Sequence, residues 1–94
     1  MLFNAFYCSV MTNLEFEVLD QLYFVESFQK IKEELNLEED SLKNVLKDMI
    51  EKGWIKCFAD RYTEVIMDTK QFEEKYHLYQ YLATKEGLLA HNSR

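Results

Sequence analysis

The side chains with reactive chemistry are few and far apart. Cys8 and Cys57 share no short spacing, and His77 and His91 are the two histidines of the chain. Together they match the four ligands of a structural zinc, yet none sits two to five residues from another, as zinc ligands usually pair. The sequence therefore predicts no metal site and no cofactor. A Cys57–His77 nucleophile and base would lack any third group to orient them, so Cys57 reads as a core-facing strand cysteine. Glycine occurs only at Gly53 and Gly87, which excludes a glycine-rich phosphate loop. Tyr62, Tyr76, Tyr79 and Tyr81 could stack on single-stranded bases, but without interleaved basic residues they read as core and interface cover. No catalytic constellation emerges, and the chain is not expected to be an enzyme.

The rest of the chain must position whatever chemistry exists. Its 94 residues carry 17 acidic and 11 basic side chains, a net charge of −6, and are 48% apolar and 15% aromatic. That is the composition of one globular domain, with little room for a deep cleft beside the core. No apolar run approaches the ~18 residues of a membrane-spanning helix. Two cysteines without a secretory pattern read as reduced thiols of a cytoplasmic protein. Proline is absent and glycine scarce, so the chain should be mostly helix. Residues 1–11 form an apolar arm, and Met11-Thr12-Asn13 reads as a second start. The arm is expected to cover the core of the domain, residues 12–94, or to join a dimer contact.

Thr12 and Glu15 have the spacing of a capping box. The helix they open carries Leu14, Val18, Leu22 and Val25 on one stripe, with Phe16, Leu19 and Tyr23 on a second. Ser27 caps a second helix holding Phe28, Ile31 and Leu35. The third, 38–53, places Leu42, Val45, Leu46, Met49 and Ile50 on one arc and ends at Gly53. Strands are expected at Trp54–Phe58, Tyr62–Met67 and His77–Ala83, with a turn at Asp60-Arg61. Asp68–Tyr76 reads as a loop or short helical turn, and Thr84 caps a last helix through Leu88, Leu89 and His91.

This order resembles a winged helix. Leu37 to Ile55 resembles the recognition-helix region of winged-helix regulators, where an acidic start leads to spaced leucines, a glycine, and Trp-Ile opening the wing. Tyr81-Leu82-Ala83-Thr84-Lys85-Glu86-Gly87 resembles the strand-to-helix step after the wing in MarR- and PadR-type transcriptional regulators. The resemblance covers residues 13–92. It implies an α+β, mostly helical fold: a three-helix winged helix-turn-helix with a two- to three-stranded wing and a C-terminal helix. It also implies duplex DNA as the partner, with helix 38–53 in the major groove and the wing on backbone or minor groove.

On that helix Asp40, Asn44, Lys47, Asp48 and Glu51 lie opposite the apolar arc, flanked by Ser41 and Lys43. Asn44 suits adenine, Lys43 and Lys47 suit guanine or phosphate, and Ser41 suits phosphate. Lys56 and Arg61 complete the candidate nucleic-acid surface. A homodimer is expected, because one small domain reads too few bases. Its candidate interface is Leu2, Phe3, Phe6 and Tyr7 of the arm with Phe16, Leu19 and Tyr23.

Charge opens a second reading. Residues 38–53 hold three basic and five acidic side chains, and residues 59–78 hold the same numbers. Duplex binding draws much of its affinity from phosphate neutralisation. Both elements that should meet DNA are thus locally acidic, which fits an interaction module for a basic protein partner.

Overall fold

In the computed structural model, which describes residues 11–60, 62–66 and 68–93, Thr12 opens helix α1 (Asn13–Gln21). Its hydroxyl accepts the Glu15 amide at 3.0 Å, and the Glu15 carboxylate accepts the Thr12 amide at 3.0 Å. This is the reciprocal pairing that the Thr-x-x-Glu spacing predicts. The apolar stripe runs on to Val25, but α1 stops earlier. There the Leu22 carbonyl accepts the Ala83 amide at 3.0 Å, which ties the chain to the sheet.

Strand β1 (Glu26–Ser27) follows, and Ser27 then caps α2 (Phe28–Leu35) by accepting the Lys30 amide at 3.1 Å. Asn36 ends α2 in the left-handed region, φ 54°. Helix α3 (Glu39–Glu51) buries Leu42, Val45, Leu46 and Met49. Gly53, φ +79°, stops it: the Gly53 and Trp54 amides return to the Ile50 and Met49 carbonyls at 3.0 and 2.9 Å.

After β2 (Ile55–Phe58), the Asp60 side chain folds the turn by accepting the Tyr62 and Thr63 amides at 2.8 and 3.0 Å. These bonds, the Tyr62 amide first, hold the Asp60 carboxyl below its ordinary value. Among the described residues of the expected strand Tyr62–Met67, the pairing stretch is β3 (Glu64–Val65). Residues 68–76, expected as a loop or a short helical turn, contain the seven-residue helix α4 (Thr69–Lys75). The expected strand His77–Ala83 begins instead as a 3-10 turn, Tyr76–Leu78, and becomes strand only at β4 (Gln80–Ala83). Helix α5 (Lys85–Asn92) completes the described chain, an α+β, mostly helical architecture.

The sheet order is β1-β4-β2-β3, antiparallel throughout, and both edge strands are two residues long. Cys57 faces Tyr81 and Ile55 faces Ala83 across the central pair. These four turn inward onto the helices, while Lys56, Phe58, Gln80 and Leu82 alternate outward. The core joins Val18 and Leu19 of α1, and Leu22 just after it, to Phe28, Ile31, Leu46, Met49, Trp54 and Tyr81. The fully buried Tyr81 donates its hydroxyl to the Tyr76 carbonyl at 2.7 Å, satisfying the one polar atom it brings inside.

α5 docks closely on the α3–β2 corner. The Thr84 hydroxyl donates to the Gly53 carbonyl at 2.6 Å, and the Thr84 amide donates to the Trp54 carbonyl at 2.9 Å. A Cβ on Gly87 would lie 2.1 Å from that same Trp54 carbonyl oxygen. Gly87→Ala must therefore push α5 off the corner, and urea unfolding should show a loss of about 2 kcal/mol or more. Gly53→Ala meets open space and bears only the left-handed backbone cost, about 1 kcal/mol.

Burial raises the Cys57 thiol from 9.0 to about 12, with Glu64 adding to the effect. Burial also pushes the Tyr81 phenol up. Both groups are neutral when protonated, so their contribution is intact below the unfolded-state values and is lost as pH rises through the folded ones. The unfolding free energy from urea titrations should hold to pH 9 and then fall by up to about 1.4 kcal/mol per pH unit per group. Cys57→Ala should remove the first part of that fall; an identical alkaline profile in the variant would show that Cys57 does not contribute to it.

Candidate functional site

α3 presents two different surfaces outside the core. Asp40, Ser41, Asn44, Asp48 and Glu51 are exposed along one stripe. Lys43 and Lys47, one turn apart on the flank, are less open because α4 lies beside them. The sequence places α4 there through two devices. Asp68 accepts the Gln71 amide at 2.8 Å and Gln71 returns a bond to the Asp68 amide at 3.3 Å, so the helix starts with its own capping box. Phe72, 3% exposed, then anchors it in the core.

Anchoring Phe72 brings its neighbour Glu73 over the lysines. One carboxylate oxygen lies 3.1 Å from the Lys43 ammonium and the other 3.3 Å from that of Lys47. Hydrogen bonds from Lys43 first, then Lys47, hold the Glu73 carboxyl below its ordinary value. Tyr76 extends the arrangement: Lys43 sits 5.5 Å from its ring centroid, and its hydroxyl donates a short bond to Glu39. That bond, ahead of the surrounding carboxylates, pushes the Tyr76 phenol up to about 12. Between α3 and α4, Lys47, Ile50, Glu51, Asp68, Thr69 and Phe72 line a cleft of about 50 Å³, room for water and not for an organic substrate.

The candidate nucleic-acid residues thus divide into groups. Lys43 and Lys47 come together, with Glu73 between them. Ser41 and Asn44 share the open stripe with three carboxylates. Lys56 lies on the outer face of the sheet, its ammonium 5.8 Å from the Phe58 ring. Arg61 lies outside the described residues. Glu73 and Tyr76 are not among the residues the sequence assigns to this surface; the Asp68-x-x-Gln71 capping spacing is the signal for the helix that carries Glu73 and leads into Tyr76.

The dimer candidates divide as well. Leu2, Phe3, Phe6 and Tyr7 lie outside the described residues. Leu19 is wholly buried, because α1 turns it into the core, and it leaves no surface for a partner. Phe16 is half-buried and stacks on His91 at 4.1 Å. Tyr23, 44% exposed, donates its hydroxyl to Asn92 at 3.1 Å and shares a bond with His91 Nδ1 at 3.2 Å. Nε2 of the buried His91 lies 3.4 Å from an Asp20 carboxylate oxygen without hydrogen-bond geometry. These contacts cement α1 to α5. Tyr62, Ile66 and Phe24 are more exposed than any of the interface candidates described.

Cys57 is buried on β2 and His77 is exposed on the 3-10 turn, so the pair imagined for catalysis is split between core and surface. Among the described residues no three His, Cys, Asp or Glu side chains are grouped to hold a metal ion. No helix among them is long and apolar enough to cross a membrane. Compared with known proteins, the chain matches no family model, no curated protein and no solved structure, so a function has to be read from its own geometry.

Proposed function

We propose that this chain is a winged-helix domain acting as a protein-interaction module, which meets a basic partner through the open stripe of α3. The element order supports the winged-helix assignment: β1 falls between the first two helices, β4 lies between β1 and β2, and the β2–β3 hairpin takes the place of a wing. One observation carries the choice of partner. Lys43 and Lys47, the cations best placed to meet phosphate, are both engaged by Glu73. The stripe left open holds Asp40, Asp48 and Glu51 and no cation. Such a surface attracts a positively charged partner and repels a phosphate backbone.

The alternative, a transcriptional regulator that binds duplex DNA as a homodimer, keeps one specific support. Ser41 and Asn44 are exposed on the same stripe, with side chains that can pair with phosphate and adenine.

Two measurements on the whole chain test the proposal. Fluorescence anisotropy with mixed-sequence duplex at 50 mM salt should show no association at ~10 μM protein, where non-specific DNA binders usually associate. Affinity capture from native extract at low salt should retain basic proteins that elute with salt. That retention should disappear with Asp40→Lys, Asp48→Lys and Glu51→Lys combined. Duplex binding by the unaltered chain that Lys43→Ala/Lys47→Ala weakens, or retention indifferent to the charge reversal, would overturn the reading.

A further inference from the structure

We infer that the cleft between α3 and α4 is an anchor pocket for one arginine side chain of a basic protein partner. This rests on the protein-interaction reading and deepens it, by naming the side chain through which the partner is held.

Three features of the cleft lead there. First, its size admits the end of a side chain and little more. About 50 Å³ lies between the two helices, several times the room of one water and too little for a free metabolite. The flat guanidinium end of an arginine is of that scale. Second, the lining is graded. Phe72 is buried and Ile50 half-buried, so the floor is apolar, while Glu51, Asp68 and Thr69 are exposed and form the rim. A side chain with an apolar stem and a cationic head meets both parts at once. Lys47 also lines the cleft, but its ammonium lies 3.3 Å from a Glu73 carboxylate oxygen, which offsets that charge. Among the described residues, Glu51 and Asp68 form no ion pair.

Third, the two rim carboxylates come from different elements, and one is fixed in place. Asp68 accepts the Gln71 amide at 2.8 Å while its own amide donates to the Gln71 side chain at 3.3 Å. A guanidinium spreads its donors around a rigid plane and can serve carboxylates on two sides. An ammonium is compact and more strongly hydrated, so a half-enclosed site favours arginine over lysine. Glu51 is also the last carboxylate of the open α3 stripe. A partner segment lying along Asp40 and Asp48 therefore arrives at the mouth of the cleft. Arginines seated in pockets are among the side chains that carry most of the binding energy at protein interfaces.

The test titrates the whole chain against fluorescein-labelled hexa-arginine and hexa-lysine at low salt, read by anisotropy. Hexa-arginine should bind roughly tenfold tighter, the worth of one well-placed hydrogen bond to a charged group. Thr69→Leu fills the cleft from an exposed position without changing the charge, and it should remove most of that preference. Asp68→Asn keeps a capping acceptor but loses the carboxylate; Asp40→Asn loses one from the stripe outside the cleft. The first should weaken hexa-arginine binding roughly fivefold more than the second. In the unaltered chain, hexa-arginine should shift the Ile50 methyl resonances more than those of the buried Ile31. An arginine preference that survives Thr69→Leu, equal losses in the two asparagine variants, or Ile50 shifts no larger than those of Ile31 would overturn the inference. Equal affinities for the two peptides, abolished by combined Asp40→Lys, Asp48→Lys and Glu51→Lys, would overturn the pocket and leave the interaction reading standing. Failure of both peptides to bind would overturn both.

Discussion

The corner Lys52-Gly53-Trp54 is the constraint on which the rest of the molecule depends. Gly53 ends α3 with a backbone turn that other residues take only under strain, and the two carbonyls it exposes are where α5 begins, through Thr84. Lys52 reaches back to the Glu15 carboxylate at 2.6 Å while lying 4.8 Å from the Trp54 ring centroid. Glu15 is almost wholly buried and already caps α1, so one carboxylate joins the start of α1 to the end of α3. A buried carboxylate is costly unless paired and hydrogen-bonded, and Glu15 is both. Three helices and the central strands therefore share one corner, and the orientation of α3's outer face is set from it.

That outer face owes its character to a different element. Opposite the fixed corner, α4 is held by one buried phenylalanine, and the position of Phe72 decides where the Glu73 carboxylate comes to rest. The outer stripe of α3 offers carboxylates, and Lys43 and Lys47 on its flank are turned toward Glu73 of α4. The arrangement pairs a firmly placed helix with α4, whose Glu73 carboxylate offsets part of the positive charge that Lys43 and Lys47 present to an approaching molecule.

Local signals made much of this fold readable from residues alone. Thr12, Ser27 and Thr84 cap where their spacing says, Gly53 ends α3, and the Leu42–Met49 arc is the buried one. What escaped was non-local or concealed. β1 is two residues with no periodicity of its own, and it exists because Glu26 finds Tyr81 far along the chain. α1 ends early through a bond to Ala83, also distant in sequence. α4 had a readable capping box, but its charged surface masked the single apolar anchor. The candidate site followed the same rule: the positions of Ser41, Lys43, Asn44 and Lys47 on α3 were legible from the helical wheel. Their engagement by Glu73 depends on a tertiary contact that no spacing announces.

The two-residue edges of the sheet carry a consequence for the molecule in crowded solution. An unpaired strand edge is a template on which other chains can add, and long apolar edges drive aggregation. Here β1 and β3 each contribute a single two-residue rung, and each contains a glutamate, Glu26 or Glu64. The longer apolar strands, β2 and β4, are paired on both sides by other strands. The domain can thus leave Tyr62 and Ile66 bare beside an edge without offering the backbone ladder that would turn those side chains into a seed for fibrils.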